Sequence, residues 1–265
     1  MQALTNLTVE EAGKLSFLLT DVDDTITTKG KLHPEALDAL YRLANAGIRT
    51  ICVTGGSAGW GDTYLRQWPI EAVLSESGAV CLYRKDGSIK HYIHPSIVQD
   101  GYQDRMKALM ERVLSSVPNA KLSSDQFARL YDIAFDHGSE PPYLDQAGIA
   151  QVVALCQEMG ASTAVSSIHI NAWFGSFDKF RGTKAFFSDV LGLDEQYVCN
   201  HSCYCGDAPN DQVMFSRFPV SFGVGNIRRH VSSMQVLPAY AAEAEGGAGF
   251  AQIVDALLER RGKLL

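Results

Sequence analysis

Short apolar segments alternate with helix-like segments over the first 75 residues of the chain. Residues 15–20, 48–54 and 70–75 are apolar enough to form buried strands. Residues 33–45 place alanines and leucines on one helical face, and Gly47 is suited to end that helix. Strands that alternate with helices indicate a mostly parallel sheet covered by helices on both faces. The sequence therefore predicts an α/β, Rossmann-like core.

This alternation is interrupted near residue 81 and resumes after residue 178. The intervening stretch has a hairpin signal at residues 85–88, helical patterns over 102–117 and 145–159, and β-rich segments over 127–135 and 162–172.

We predict that residues 83–175 form an inserted α+β unit, and that residues 1–82 and 176–265 form the core. Residues 246–249, Gly-Gly-Ala-Gly, are expected to be a small flexible patch before a terminal helix over 250–260.

The charge balance limits the class of partner. The chain of 265 residues is 46% hydrophobic and 20% charged, with a net charge of −7. These values are ordinary for a soluble globular protein, and the negative charge disfavours nucleic acid. The N-terminus lacks a signal-peptide pattern, and no apolar run reaches the roughly 18 residues that span a membrane. We expect a cytoplasmic protein without a membrane partner, and the oligomeric state stays open.

Two carboxylates follow the first predicted strand. Asp21 and Asp23 stand two residues apart, at the strand end where open α/β sheets bind ligands. A carboxylate there can attack phosphorus, and a second one can transfer protons. The alternative is an acidic turn, because Asp favours turns.

Thr54 and Gly55 follow the second predicted strand, so we expect them on the same edge of the sheet as Asp21. Gly55 and Gly56 let the backbone approach an anion, and the N–H groups of the next helix favour negative charge. A strand-to-helix turn capped by Ser57 explains these residues without a ligand.

Asp207 and Asp211 follow a later β-rich segment, and carboxylates at one edge of a sheet suit Mg²⁺. Capping of a helix by Asp207 is the alternative. Lys179 precedes a helix of the resumed core, where its ammonium could neutralise a phosphate or an attacking Asp. A solvated surface lysine is the alternative there.

Taken in order, these motifs resemble those of the haloacid dehalogenase-like hydrolase superfamily. Asp21-Val22-Asp23-Asp24-Thr25 is similar to its first motif, Asp-x-Asp-x-Thr, and residues 206–211 to its fourth, Gly-Asp-x-x-Asn-Asp. Thr54 matches the second motif and Lys179 the third.

Three features depart from the family pattern, one of which is Ser77, where Asn is usual in the cap subgroup. Asp24 stands where Gly is commonest. The lysine and glycine of the third motif, Lys179 and Gly182, are further apart than usual, so Lys184 competes for the lysine role.

The insert resembles the class IIB cap found in Cof-type, sucrose-phosphate and mannosyl-3-phosphoglycerate phosphatases. Glu76-Ser77-Gly78-Ala79 is similar to that subgroup's Glu-Asn-Gly-Ala. Such a cap would close over the site and select the substrate. Arg129, His169 and Asn171 could contact that substrate, although a surface or structural role is favoured for each. Trp173 and Phe174 are expected to pack in the hinge or core.

The resemblance also implies roles for the site residues. Asp21 would form an aspartyl-phosphate, and Asp23 would act as general acid and base. Mg²⁺ would be held by Asp21, the backbone carbonyl of Asp23, and Asp207, with Asp211 orienting it. Thr54, the Gly55 amide and Lys179 would bind the phosphoryl oxygens.

We therefore predict a Mg²⁺-dependent phosphomonoester hydrolase that acts on a small phosphorylated substrate, a sugar or sugar acid. A sugar phosphomutase with the same aspartyl-phosphate chemistry is the first alternative. A non-catalytic binder of phosphorylated ligands is a remote one.

Overall fold

The structure, a computed structural model, describes residues 1–97, 100–166 and 168–262. Val98, Gln99 and Ser167 of the predicted insert, and residues 263–265 of the predicted core, lie outside this description.

The strands have the following bounds: β1 (Gln2–Ala3), β2 (Phe17–Thr20), β3 (Thr27–Thr28), β4 (Lys31–Leu32), β5 (Arg49–Val53), β6 (Ala72–Ser75), β7 (Val80–Lys85), β8 (Ser88–Ile93), β9 (Lys121–Leu122), β10 (Ile133–Asp136), β11 (Ser162–Val165), β12 (His169–Trp173), β13 (Ser202–Gly206), β14 (Ser221–Gly223) and β15 (Tyr240–Ala241).

The α-helices have the following bounds: α1 (Val9–Lys14), α2 (Pro34–Asn45), α3 (Ala58–Gln67), α4 (Tyr102–Ser116), α5 (Gln146–Glu158), α6 (Lys179–Asp189), α7 (Glu195–His201), α8 (Gln212–Phe215) and α9 (Gly246–Gly262). Short 3-10 turns connect several of these elements.

Within the described residues, nine strands form one large sheet in the order β1-β15-β14-β13-β2-β5-β6-β7-β8. Along this order, the six pairings from β1 to β6 are parallel, whereas β6 with β7 and β7 with β8 pair antiparallel. The mostly parallel α/β core predicted from the sequence is confirmed. Its parallel strands all end at one edge, which is where the polar side chains of the site collect.

Side chains of successive residues in β2 pack on opposite faces of the sheet, as the pleat of a strand requires. Leu18 belongs to the cluster formed with α2 and α9, whereas Phe17 and Leu19 belong to the cluster formed with α6. Burial on both faces explains why this strand is a continuous apolar run in the sequence.

The inserted unit has a separate sheet and core. Its strands have the order β11-β12-β10-β9 and pair antiparallel. Residues of α4 and α5 pack against this sheet in a third hydrophobic cluster, which also contains Trp173 and Phe174. The expected packing role of these two aromatic residues is confirmed.

The β7–β8 hairpin extends the large sheet instead of the insert. The predicted insert begins at residue 83, but β7 pairs with β6, and β8 pairs with β7 as far as Ile93. We therefore propose that the inserted unit begins after Ile93.

Two local predictions are wrong. The strand predicted over 127–135 is limited to Ile133–Asp136, because the amides of residues 130–132 donate hydrogen bonds to the Glu76 carboxylate and not to a neighbouring strand.

The glycine patch is the first turn of α9. Gly246 has a φ of +51°, and a Cβ at Gly249 would clash with the Ala244 carbonyl oxygen. Glycine is needed here for close packing, so its presence does not signal flexibility.

Among the described residues, no helix is both long and apolar enough to cross a membrane.

Candidate active site

Three predicted site residues follow neighbouring parallel strands of the large sheet. β13 pairs with β2, and β2 pairs with β5. Asp207, Asp21 and Thr54 come directly after these strands, and all three are buried. The chain thus brings an acid, a second acid and a hydroxyl together at the carboxyl edge of the sheet.

Lys179, the first residue of α6, reaches this edge from the resumed part of the core. Its Nζ lies 3.1 Å from Asp21 Oδ1 and 2.7 Å from Asp211 Oδ1, and its side chain is 3% exposed. Burial lowers the pKa of Lys179, but the carboxylates of Asp21 and Asp211 outweigh it and raise that pKa above its ordinary value. Lys184 instead pairs with Glu195 at 2.6 Å and is 52% exposed. Of the two candidate lysines, the structure brings Lys179 to the site.

Asp211 accepts hydrogen bonds on both carboxylate oxygens. Its Oδ1 accepts from Lys179 Nζ and, at 2.5 Å, from the Tyr204 hydroxyl. Its Oδ2 accepts from the amides of Asp207 at 2.9 Å and Ala208 at 3.2 Å. Asp211 therefore shapes the loop after β13 and holds Lys179 in place.

Asp207 is oriented by two side chains that donate to its carboxylate. Thr25 Oγ1 donates to Oδ1 at 3.3 Å, and Asn226 Nδ2 donates to Oδ2 at 2.8 Å. The same Asn226 nitrogen lies 3.0 Å from the Asp24 carbonyl oxygen, and Asn226 Oδ1 accepts from the Gly246 amide.

Sequence reasoning missed Asn226. The signal in the sequence was a polar residue among the apolar residues that follow β14. That signal is weak, because the hydrogen-bond partners of Asn226 are far away in the sequence.

Asp24 has a structural role that explains its place in the first motif. Its φ is +55°, a left-handed conformation that favours Gly and that Asp tolerates better than most residues. Its carboxylate accepts a hydrogen bond from the Lys29 amide at 3.0 Å, which stabilises the β3–β4 hairpin.

At this edge of the sheet, buried carboxylates outnumber buried cations. One oxygen from each of Asp21, Asp207 and Asp211 lies within 4.8 Å of the others. Burial raises the pKa of Asp21 to about 7, opposed by Lys179 and reinforced by Asp211 and Asp23. Burial and Asp211 likewise raise the pKa of Asp207 well above its ordinary value. A divalent cation would relieve this repulsion, so the donor set fits one.

Asp23 lies beside this cluster and is only partly buried. Burial, reinforced by Asp24 and opposed by Lys179, raises the pKa of Asp23 to about 6. A carboxyl group with such a pKa can both donate and accept a proton near neutral pH.

The loop after β5 is held from both sides. Thr54 Oγ1 accepts a hydrogen bond from the Gly56 amide at 2.9 Å. The Gly55 carbonyl oxygen accepts from Arg129 Nη1 at 2.9 Å and from Asn171 Nδ2 at 3.0 Å, both in the inserted unit. The insert is therefore closed on the core at this loop.

Closure encloses a small cavity of about 20 Å³ at the edge of the sheet. Core and insert residues both contribute to its walls, which are Asp21, Asp23, Thr54, Gly55, Gly56, Ser166, His169, Asn171, Asp207, Ala208 and Asn210. His169 and Asn171 thus face the site. The Arg129 guanidinium is fully buried and bonded to Asp125 and Asp132, so the favoured structural role of Arg129 is confirmed.

A second contact between core and insert is made by Glu76. Its carboxylate accepts hydrogen bonds from the Ala58 amide at the start of α3 and from the amides of Leu130, Tyr131 and Asp132 in the insert. The similarity of Glu76-Ser77-Gly78-Ala79 to a family motif marked this residue, but its partners were not predicted.

The family model of the haloacid dehalogenase-like hydrolases matches residues 18–141, which include Asp21, Asp23 and Thr54. The match confirms the resemblance inferred from the motifs, since residues 18–141 match the model of a haloacid dehalogenase-like hydrolase. Comparison with curated proteins gives no match.

Solved structures of low identity share the fold. A Thermoplasma acidophilum protein is 15% identical with a TM-score of 0.71, over 92% of this chain and 98% of that one. The sucrose-phosphatase of Synechocystis sp. PCC6803, in complex with sucrose and phosphate, is 14% identical with a TM-score of 0.64 and the same coverages. The C-terminal domain of C. albicans trehalose-6-phosphate phosphatase is 12% identical with a TM-score of 0.69, over 99% of both chains.

Proposed function

We propose that this protein is a Mg²⁺-dependent phosphatase that hydrolyses the phosphomonoester of a sugar or sugar acid through an aspartyl-phosphate on Asp21. The observation that carries the proposal is the buried Asp21 carboxylate 3.1 Å from the Lys179 ammonium, on an edge that also holds Thr54 and Asp207. A nucleophile and a cation that are already positioned supply what phosphoryl transfer needs most.

The residues at this edge fit Mg²⁺, which prefers oxygen ligands. We assign the metal to the carboxylates of Asp21 and Asp207 and to the backbone carbonyl of Asp23. Asp211 orients the site, since both of its oxygens already accept hydrogen bonds. When bound, Mg²⁺ supplies positive charge between these carboxylates and the phosphate dianion.

In the first half-reaction, an Asp21 carboxylate oxygen attacks phosphorus and the bond to the leaving oxygen breaks. Asp23 donates its proton to that oxygen, so the product leaves as a neutral alcohol. Lys179, Thr54 and the Gly55 amide hold the phosphoryl oxygens as charge develops on them.

In the second half-reaction, water attacks the phosphorus of the aspartyl-phosphate. Asp23, now ionised, accepts a proton from that water, and the bond between phosphorus and Asp21 breaks. Inorganic phosphate leaves, and both carboxyl groups return to their starting states. The raised pKa of Asp23, about 6, suits both directions of proton transfer.

The choice of a sugar phosphate rests on the closed insert and on two proteins of the same fold. One is named a sucrose-phosphatase and the other a trehalose-6-phosphate phosphatase. The polar insert residues His169 and Asn171 beside the site are compatible with a hydroxyl-rich leaving group.

The test is a phosphate-release assay on a panel of sugar and sugar-acid phosphates, with Mg²⁺ and with a chelator. We expect Mg²⁺-dependent release of inorganic phosphate. Phosphate that moves to another carbon of the sugar would instead indicate a mutase, and binding without turnover of any compound would contradict catalysis.

A further inference from the structure

A larger cavity adjoins the enclosed one on the Asp23 side. It has a volume of about 370 Å³, within the range of about 300–1,000 Å³ typical of small-molecule sites. Helix α3, the β3–β4 hairpin and the inserted unit form its walls. Asp23 and His169 line both cavities. A phosphoryl group bound at Asp21 would therefore have its leaving oxygen near Asp23 and its leaving group in this larger space.

One wall of the larger cavity is an aromatic ladder along α3. Trp60 and Tyr64 stack with their ring centroids 5.7 Å apart, and Tyr64 and Trp68 stack at 4.2 Å. Trp68 is 8% exposed and packs into the core, whereas Trp60 is 50% exposed. Tyr64 and Asp23 both line this cavity, and burial and then the charge of Asp23 raise the pKa of Tyr64. Flat apolar surfaces of this kind suit the C–H face of a sugar ring.

The charge around the cavity is negative. Among the described residues that line it, the charged side chains are Asp23 and Asp125, and no Lys or Arg is present. The guanidinium of Arg129 is engaged by Asp125, Asp132 and the Gly55 carbonyl. Burial lowers the pKa of His169 to about 4, so its ring is uncharged at neutral pH.

A second anionic group on the leaving group would face the carboxylates of Asp23 and Asp125, and the nearby guanidinium of Arg129 is already paired with Asp125 and Asp132. Hydroxyl groups, in contrast, would meet side chains that can donate or accept hydrogen bonds, including Thr63, Gln67 and Ser139.

We propose that the leaving group of the substrate is an uncharged polyhydroxy compound, a sugar and not a sugar acid, and that it binds in this cavity with Trp60 and Tyr64 as specificity-determining residues. The proposal rests on the proposed phosphatase function and narrows its substrate class.

Another cavity, of about 500 Å³, has Lys179, Arg181 and Asn210 in its walls. Asp23 does not line it, so a leaving group placed there would be away from the proposed proton donor. Arg181 therefore provides a matched control for Trp60, because each is a large, exposed side chain that lines one of these two cavities and not the other.

The experiment compares kcat/KM of the full-length protein with Mg²⁺ on four kinds of compound. These are phosphates of uncharged hexoses, the carboxylated compounds 6-phosphogluconate and 3-phosphoglycerate, the cationic phosphocholine, and acetyl phosphate as a small substrate. We expect the best hexose phosphate to exceed the carboxylated compounds and phosphocholine by about tenfold or more. In Trp60→Ala, the ratio of kcat/KM for that hexose phosphate to kcat/KM for acetyl phosphate should fall about tenfold. Trp60→Phe should retain most of the ratio, and Arg181→Ala should leave it unchanged.

Preference for a carboxylated compound or for phosphocholine would overturn the proposal, and so would an unchanged ratio in Trp60→Ala. If this ratio falls in Arg181→Ala and not in Trp60→Ala, the leaving group binds in the other cavity and the proposal is wrong. If acetyl phosphate is hydrolysed but the expected substrate preference and the expected effect of Trp60→Ala are not observed, only the inference about the substrate is wrong. If no compound releases phosphate, the phosphatase function and the inference fail together.

Discussion

The Lys179 ammonium lies 3.1 Å from the Asp21 carboxylate, and both side chains are almost fully buried. Asp211 holds the same ammonium from the other side at 2.7 Å. Neither contact is local, because Lys179 follows the inserted unit and Asp21 precedes it. The folded core thus places a cation beside the proposed nucleophile before any substrate binds.

Replacing Lys179 by Met should abolish most of the activity. It removes the charge that stabilises the phosphoryl oxygens, and loss of one such group typically costs about 10²–10³ in kcat. It also leaves buried acids without their partner, which typically costs about 3–5 kcal/mol of stability. Steady-state kinetics and thermal unfolding measure the two effects. Lys184→Met is the control and should be nearly neutral, because Lys184 forms an exposed pair with Glu195; equal effects of the two variants would contradict the assignment.

Asn226→Ala should weaken the binding of Mg²⁺ without removing a ligand. Asn226 donates to Asp207 Oδ2 at 2.8 Å, and the loss of such an orienting partner typically lowers metal affinity about 10–100-fold. The Mg²⁺ concentration that gives half-maximal activity should rise, while kcat at saturating Mg²⁺ changes less. An unchanged Mg²⁺ requirement would show that Asn226 does not position Asp207.

Glu76→Gln should destabilise the closed arrangement of insert and core. The carboxylate accepts from four backbone amides, whereas a glutamine side chain offers one oxygen and a competing donor. Each buried amide left unpaired typically costs about 1–3 kcal/mol. Chemical denaturation should show this loss. Glu71→Gln is the comparison: it disrupts a half-exposed pair with Arg49, for which less than about 1 kcal/mol is expected.

The stability of the protein should depend on pH through His169. Burial, reinforced by Arg129, lowers the pKa of His169 from 6.5 to about 4, so the folded state favours the neutral ring. This contribution is fully present above pH 6.5 and is lost as the pH falls towards 4. Its total is at most about 3 kcal/mol. Unfolding measured between these pH values should be less steeply pH-dependent in His169→Asn, and an identical slope would contradict the assignment.

The sequence was most informative where a residue directly follows a strand. Asp21, Thr54 and Asp207 could be predicted because buried parallel strands are apolar runs and their carboxyl ends share one edge. Lys179 was identified by its motif, although the sequence left Lys184 as a rival. Burial beside two carboxylates distinguishes the lysines, and only the packing of α6 creates that environment.

Residues that join distant segments were the ones missed. Asn226 links the loops after β2 and β13 to the start of α9, and no local pattern indicates these contacts. Residues 127–135 have β propensity, but Glu76 competes for the amides that a strand would use. Over residues 127–135, tertiary hydrogen bonds overrode the local preference.

The central claim is that Asp21 carries the phosphoryl group. Enzyme quenched during turnover with Mg²⁺ and a hydrolysed sugar phosphate, then reduced with borohydride, should contain homoserine at position 21 by peptide mass spectrometry, because an acyl phosphate is reduced and a free carboxylate is not. Asp21→Asn, treated in parallel, should give no homoserine and no phosphate release. Homoserine at another position, or rapid turnover by Asp21→Asn, would contradict the account.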